Sequence, residues 1–383
     1  MKIGVPREIA PGETRVAMTP AAIKQLVRDA HEVLVQSGAG AASSITDDDY
    51  TAAGARIVRG ADELYGSVDM VVKVQMPRQQ DGVDEAGLIK RDGVYIGFLS
   101  PFGSRDTVKR LLERNVTSYA MEYIPRITRA QGMDALSSMA TIAGYKAVLM
   151  AADRMHKIFP LMMTAAGTIS PATVLILGAG VAGLQAIATA RRLGAKVEAF
   201  DPRPAVKEQV KSLGATFIDM EMPSDAETAG GYAKEMSPEF IKKEMEAIAS
   251  RLPKADVVIT TAQVFGKKAP LLITDAMVRM LKPGSVVIDL AAEQGGNCEL
   301  TAAGKQVEKY GVTVIGAVNV PAMIPIDSSA MYAKNVLNLF QYLYKKGAGG
   351  PDFTDDIPKG CCITRNGDIV NEGFKKAFTA GGQ

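Results

Sequence analysis

Thr173-Val-Leu-Ile-Leu-Gly178-Ala-Gly180-Val-Ala-Gly183-Leu-Gln-Ala-Ile-Ala-Thr-Ala190 joins an apolar run of branched residues, three glycines at G-x-G-x-x-G spacing and an Ala-rich helical pattern. That order predicts a buried parallel strand, a tight turn and a helix. Each glycine has a physical task. Gly178 permits the turn, Gly180 lets the backbone approach a pyrophosphate, and Gly183 lets helix and strand pack closely. The phosphates would meet unpaired N–H groups at the helix start, with Val181 and Ala182 among the contacts.

A lone glycine triplet is a weak signal, and a purely structural βα turn is the rival reading. Context decides between them. After the Leu193-Gly194 break, a second candidate strand, Lys196-Val-Glu-Ala-Phe200, ends in Asp201. That is about twenty residues on, where an acidic residue accepts from a ribose hydroxyl. A carboxylate there favours NAD, because it would repel a 2′-phosphate. Arg203, two residues further, argues the other way.

No charged residue occurs from Ile158 to Ala190, so this run has to be tested as a membrane span. Pro160, Pro171 and four glycines interrupt it, and its second half already reads as strand, turn and helix. No other stretch looks long and apolar enough, so nothing is expected to cross a membrane. The start, Met1-Lys-Ile-Gly-Val-Pro, reads as a strand and lacks the apolar core of a signal peptide.

The 383 residues predict two or three domains, and 47% apolar content with 22% charge predicts a globular protein with a full core. A net charge of +2 from 44 basic and 42 acidic residues leaves no footprint for nucleic acid or for an anionic surface. Three cysteines and two histidines are too few for a disulfide framework or a zinc cluster, so no metal is expected. The cysteines read as structural residues of a reducing cytoplasm.

Residues 1 to about 125 alternate candidate strands (Lys2–Val5, Glu32–Gln36, Met70 to Val74, Val94 to Leu99, Ser118 to Met121) with helices such as Pro20–Arg28, capped by Thr19, and Arg105–Glu113. Alternation of this kind predicts an α/β doubly wound parallel sheet. The first turn, Pro6-Arg7-Glu8, has no glycine triplet, so this half is Rossmann-like without a nucleotide fingerprint. Candidate strands of a second sheet continue at Phe217 to Asp219, Asp256 to Thr261, Ser285 to Asp289 and Thr313 to Ile315. The uniformly apolar Val257–Thr260 and Val286–Asp289 suit central strands buried on both faces. The apolar stripe of the helix at Ser328 to Lys346 is assigned back to the first domain, and Asn366-Gly367 reads as a hairpin turn.

Two loops invite sharper readings. Arg126-Ile-Thr-Arg129-Ala-Gln131-Gly-Met-Asp134-Ala-Leu-Ser137-Ser138 is either a solvated hinge or the mouth of an interdomain cleft, where two arginines, a glutamine and a carboxylate hold a carboxamide. Met222 to Met236, with Gly230-Gly231-Tyr232 at its centre, is either a surface loop or a flap closing over a nucleotide.

These residues, with Gly4-Val-Pro-Arg-Glu8 to Arg15-Val-Ala-Met-Thr-Pro20 and Ile288-Asp-Leu-Ala-Ala-Glu293-Gln-Gly-Gly296, resemble the alanine dehydrogenase and nicotinamide nucleotide transhydrogenase superfamily. The resemblance covers nearly the whole chain. It implies two Rossmann-like domains separated by a cleft: residues 1–135 with 325–383, and an NAD(H)-binding domain over 136–324. Lys73 and Arg15 match positions that hold the amino acid in the alanine dehydrogenase branch. That branch also needs a histidine after Phe98-Leu99, where this chain has Ser100, and has an aspartate where Glu293 stands. His31 and His156 lie elsewhere and read as core or surface residues.

The transhydrogenase branch accounts for both loops. Arg126 to Ser138 matches its loop beside the nicotinamide, and Ala226 to Ala233 matches its flap. The resemblance implies that Arg126, Asp134 and Ser137 orient the nicotinamide of NAD(H), that Gln131 reaches toward a second nucleotide and that Tyr232 closes over the cofactor. It also implies a homodimer whose partners are an NADP(H)-binding subunit and a proton-conducting membrane subunit, met at the cytoplasmic face of the membrane. Hydride transfer between two nicotinamides needs no general acid or base, which agrees with the missing histidine. A soluble amino-acid dehydrogenase and a non-catalytic NAD-sensing module are the alternatives.

Overall fold

The computed structural model describes residues 1–100, 105–220, 237–264, 266–345 and 350–380. The chain forms two compact units, Met1–Met139 with Ala322–Gln383, and Ala140–Pro321.

In the first unit, strands β1 (Lys2–Val5), β2 (Glu32–Gln36), β3 (Arg56–Val58), β4 (Met70–Val72), β5 (Val94–Gly97) and β6 (Thr117–Ala120) are parallel, in the spatial order β3-β2-β1-β4-β5-β6. Helix α1 (Pro20–Arg28) has Thr19 as its N-cap residue and Pro20 in its first turn. Helix α2 (Arg105–Glu113) buries Val108 and Leu111. Helix α3 (Ala135–Arg154) is long and apolar enough to cross a bilayer by length and composition alone. This corrects the expectation that no other stretch would be. Its Ala147, Val148 and Ala151 are wholly buried in the core of the second unit, a role that also selects small apolar side chains.

In the second unit, β7 (Thr173–Leu177) pairs in parallel with β8 (Lys196–Phe200) on one side and β10 (Val257–Thr260) on the other. With β9 (Thr216–Phe217), β11 (Val286–Asp289), β12 (Gln306–Lys309) and β13 (Val312–Gly316), the order is β9-β8-β7-β10-β11-β13-β12. The order reverses on either side of β7. In such a sheet the crevice for a ligand lies outside the carboxyl ends of the strands at that switch point. Helix α4 (Val181–Arg192) follows β7 directly, and α5 (Pro238–Ala249) crosses from β9 towards β10.

The alternation of strands and helices predicted parallel sheets, but each sheet also carries antiparallel strands at an edge. β12 pairs antiparallel with β13 and closes one edge. Three of its four residues are exposed and only Val307 is apolar, so no hydrophobic period announced it. In the first unit α6 (Pro325–Leu343) buries Val336, Leu339, Phe340 and Leu343. Strands β14 (Cys362–Arg365) and β15 (Asp368–Ile369) then form the expected hairpin, with Asn366 and Gly367 both at positive φ, and β14 joins the edge strand β6 antiparallel. A further hairpin, Met162–Thr164 with Gly167–Ile169, lies inside the uncharged run and is exposed on both strands.

Candidate functional site

The glycine turn carries the geometry its sequence implied. Gly178 has φ +100°, and a Cβ there would stand 2.5 Å from Thr261 Oγ1. A Cβ on Gly183 would fall 1.9 Å from the Gly178 carbonyl oxygen, so only glycine lets α4 start so close to the turn. A Cβ on Gly180 would meet only Arg203 Nη2, at an ordinary van der Waals distance of 3.9 Å. It is the N-cap residue of α4, with no side chain capping the helix start. Val181 is exposed and Ala182 half-buried, so the backbone N–H groups and the positive end of the helix are open to an approaching anion.

Asp201 follows β8 directly, beside this turn, and its carboxylate is already occupied. Oδ2 accepts from Ala179 N at 2.7 Å, so Asp201 braces the glycine turn itself. Arg203 closes on it with Nε to Oδ1 at 2.8 Å and Nη2 to Oδ2 at 2.7 Å, and Arg203 N donates to Oδ1 at 2.9 Å. The arginine that argued for a 2′-phosphate is therefore neutralised by the aspartate that argues against one. A ribose hydroxyl would have to join or displace a bidentate ion pair.

The neighbouring strand ends are tied together by Thr261 and Asn297, which lie outside the quoted motifs, and by Asp289 of the Ile288-to-Gly296 stretch. Thr261 Oγ1 donates to the Gly178 carbonyl at 3.1 Å. Asn297 receives Ala262 N at 3.0 Å and donates back to the Ala262 carbonyl at 2.9 Å. Fully buried Asp289 accepts from Ala291 N, Asn297 N, Cys298 N and Thr301 Oγ1, and so folds the segment containing Gly295 and Gly296. Glu293 in that segment is exposed.

In the first unit the loop from Arg126 to Ser138 is anchored by side-chain hydrogen bonds. The Gly132 carbonyl accepts from Asn335 Nδ2 at 3.0 Å and Asn338 Nδ2 at 2.7 Å on α6. Asp134 caps α3, with Oδ1 receiving Ser137 N at 2.9 Å and Oδ2 receiving Ser137 Oγ at 2.6 Å. Arg126 and Gln131 are exposed. The structure corrects the grouping in one respect. Arg129 pairs with Asp355 and donates to Tyr342 Oη at 2.5 Å, so it anchors the C-terminal segment and is not a second arginine for a carboxamide. Tyr232 and the rest of Met222 to Met236 lie outside the described residues.

At the corresponding switch point of the first unit, between β1 and β4, the polar groups satisfy one another. Lys73, 1% exposed, meets Glu85 at 2.6 Å and Glu8 at 3.2 Å. Burial works against its charge, and the two carboxylates overcome it, holding the ammonium above the ordinary lysine range. Glu8 Oε1 also receives Val74 N at 2.6 Å, which ties the turn after β1 to the end of β4. Arg15 is met bidentately by Glu13, at 2.8 and 2.6 Å; despite burial, this pairing holds the Glu13 carboxyl down at about 2. Both cations that matched an amino-acid site thus face carboxylates of this chain. His31 packs edge-on against Phe340, and His156 is exposed. Among the described residues no cluster of three or more His, Cys, Asp or Glu is placed to hold a metal.

Comparison with known proteins gives a consistent result. The family model "Alanine dehydrogenase/PNT, C-terminal domain" matches residues 147–372, and its N-terminal counterpart matches residues 4–143. The first portion of NAD(P) transhydrogenase subunit alpha of Rhodospirillum rubrum is 51% identical over 376 residues, 97% of this chain and 98% of the relative. Alanine dehydrogenase of Methanococcus maripaludis is 29% identical over 385 residues, covering 98% of this chain and 96% of the relative. The crystal structure of transhydrogenase from Sinorhizobium meliloti superposes with a TM-score of 0.85 at 39% identity, covering 97% of this chain and all of that one.

Proposed function

The chain belongs to the alanine dehydrogenase/PNT family, and on that premise we propose that it is the NAD(H)-binding catalytic subunit of a proton-translocating NAD(P) transhydrogenase. The observation that carries this reading is the pairing of one dinucleotide turn, Gly178 to Gly183 with Asp201, with the absence of an imidazole from both switch points. An oxidation that frees a proton from an amine or hydroxyl needs a group to take it; hydride passing between two nicotinamides does not. Transhydrogenation alone asks only that two rings be held in contact.

The second nucleotide has no fingerprint in this chain, so NADP(H) comes on a partner subunit, and proton conduction belongs to a membrane subunit against which this one docks peripherally. In this reading Gly178, Gly180, Val181, Ala182 and Gly183 hold the pyrophosphate, Asp201 and Arg203 the adenosine ribose, and Tyr232 covers the cofactor. Arg126, Asp134 and Ser137 orient the nicotinamide, and Gln131 faces the second nucleotide. The purified chain should bind NADH by nucleotide fluorescence and reduce an NADP analogue only when an NADP(H)-binding partner is added. Oxidation of NADH by pyruvate and ammonium would instead support the amino-acid dehydrogenase reading.

Asp201→Ala should weaken NADH binding by roughly tenfold to a hundredfold, since a hydrogen bond to a charged group is worth about 1.5–3 kcal/mol. The loss has two sources: the ribose acceptor goes, and so does the brace on Ala179 N. An unchanged dissociation constant in a fluorescence titration would remove Asp201 from the site.

The exposed hairpin Met162–Thr164 with Gly167–Ile169 supports a two-fold homodimer. Met163 is 79% exposed and Leu161 56%, an apolar cost that a second copy of the chain would relieve. Light scattering should give about twice the 40.6 kDa chain mass. Met163→Glu should shift the population towards monomer; a stable monomer of the unaltered chain would contradict the dimer.

A further inference from the structure

Helix α5 (Pro238–Ala249) buries a straight stripe of three residues, Phe240, Glu244 and Ile248, at i, i+4 and i+8. Such a stripe faces the sheet and is ordinarily apolar throughout. Its middle member is a carboxylic acid, 8% exposed, with no hydrogen-bond or ion-pair partner among the described residues. Leaving a carboxyl in that state is costly, and a buried Glu without a partner is rare in a fold that needs only packing there.

The position of the stripe says what the carboxyl faces. Ile248 packs in one cluster with Leu177 and Phe200, the last residues of β7 and β8 before the glycine turn and Asp201. As the connection between two parallel strands, α5 runs back across the sheet, so the turn before Ile248 lies nearer the carboxyl ends. Glu244 therefore lies towards the end of the sheet where Asp201 stands, near enough for the two charges to interact. Burial, and after it the charge of Asp201, push its carboxyl up to about 7.

Asp201 is itself a poor guard against a 2′-phosphate, because Arg203 closes its charge in a bidentate pair. The negative group at that end with no partner among the described residues is the other carboxyl. Building on the NAD(H) reading above, we propose that Glu244 is the specificity-determining residue of the adenosine end, admitting a free ribose and rejecting a 2′-phosphorylated nucleotide. Its carboxyl faces the ribose position from α5 while Asp201 and Arg203 hold it from β8. A 2′-phosphate would have to be buried against Glu244 with the Arg203 guanidinium already engaged.

The test is fluorescence titration of the full chain with NADH and NADPH in parallel, well above neutrality so that Glu244 is ionised. Glu244→Gln should tighten NADPH by roughly tenfold, the order expected for removing one nearby like charge at a partly screened site. NADH affinity should stay within about threefold, since an amide still offers an acceptor to the ribose. Glu244→Asp keeps the charge and should keep the rejection. Should Gln weaken folding, Glu244→Leu suits the apolar stripe and removes the same charge. An unaltered ratio of the two affinities in Glu244→Gln or Glu244→Leu, with the unaltered chain preferring NADH, overturns the role of Glu244 alone. Preference of the unaltered chain for NADPH, or binding of neither nucleotide, overturns the NAD(H) reading on which it rests.

Discussion

Lys73→Met should destabilise the unit formed by Met1–Met139 and Ala322–Gln383 by about 3–5 kcal/mol, the cost of leaving buried charge without its counter-ion. Methionine fills the same volume, so the loss is electrostatic. Glu85, 1% exposed, would retain Tyr65 Oη and Arg78 N as its donors among the described residues, and Glu8 would face it as a like charge. The chain has 11 tyrosines and no tryptophan, and all but Tyr145, Tyr232 and Tyr310 belong to this unit. Tyrosine emission in urea therefore follows its unfolding. A midpoint shift worth less than about 1 kcal/mol, the scale of exposed pairs, would mean that water reaches the cluster.

The pH dependence of that deficit has a definite sign. Burial already pushes the Glu8 carboxyl above its ordinary value against the pull of Lys73, and removing Lys73 can only raise it further. A carboxyl whose folded value exceeds its unfolded one of about 4.3 makes the native state bind the extra proton, so stability falls as pH rises through that window. The variant should lie closest to the unaltered chain near pH 5, in round terms, and fall away above it. Adding Glu85→Gln should recover part of the loss, because the pair is coupled and not additive.

What the sequence discloses and what it withholds separate along physical lines. The glycine turn was legible because backbone constraints are local: a positive φ at Gly178 and a Cβ-free approach at Gly183 leave few residue choices. Central strands were legible because burial on both faces removes every polar residue but a terminal one, as in Val257–Thr260. Side-chain pairing across long separations leaves no such trace. Nothing near Arg129 announces Asp355, and nothing near Lys73 chooses Glu8 and Glu85 over other acids. The edge strand Gln306–Lys309 was missed because an exposed edge needs no apolar period. Glu244 left the clearest unread trace: once α5 is drawn, a carboxylate interrupts its buried stripe.

The larger effect concerns catalysis. This chain alone should transfer hydride from NADH to an NADP analogue at a negligible rate, and addition of an NADP(H)-binding partner should restore transfer. In that reconstituted reaction Gln131→Asn should lower turnover by roughly tenfold to a hundredfold, the penalty for misplacing a reacting group by about 1 Å. Its affinity for NADH should hardly change, because Gln131 is exposed and its side chain has no hydrogen-bond partner among the described residues. Asp134→Asn separates two roles. Asparagine caps a helix as well as aspartate does, so α3 should keep its start, and a fall in turnover would then support the proposed place of the Asp134 charge beside the nicotinamide. Asp134→Ala removes the cap as well and should add roughly 1 kcal/mol of destabilisation. Measuring single-turnover rates alongside NADH dissociation constants separates ring placement from binding. Full turnover in both Gln131→Asn and Asp134→Asn would reduce the segment from Arg126 to Ser138 to a helix-capping loop, and fast transfer without any partner would place the second nucleotide site within this chain.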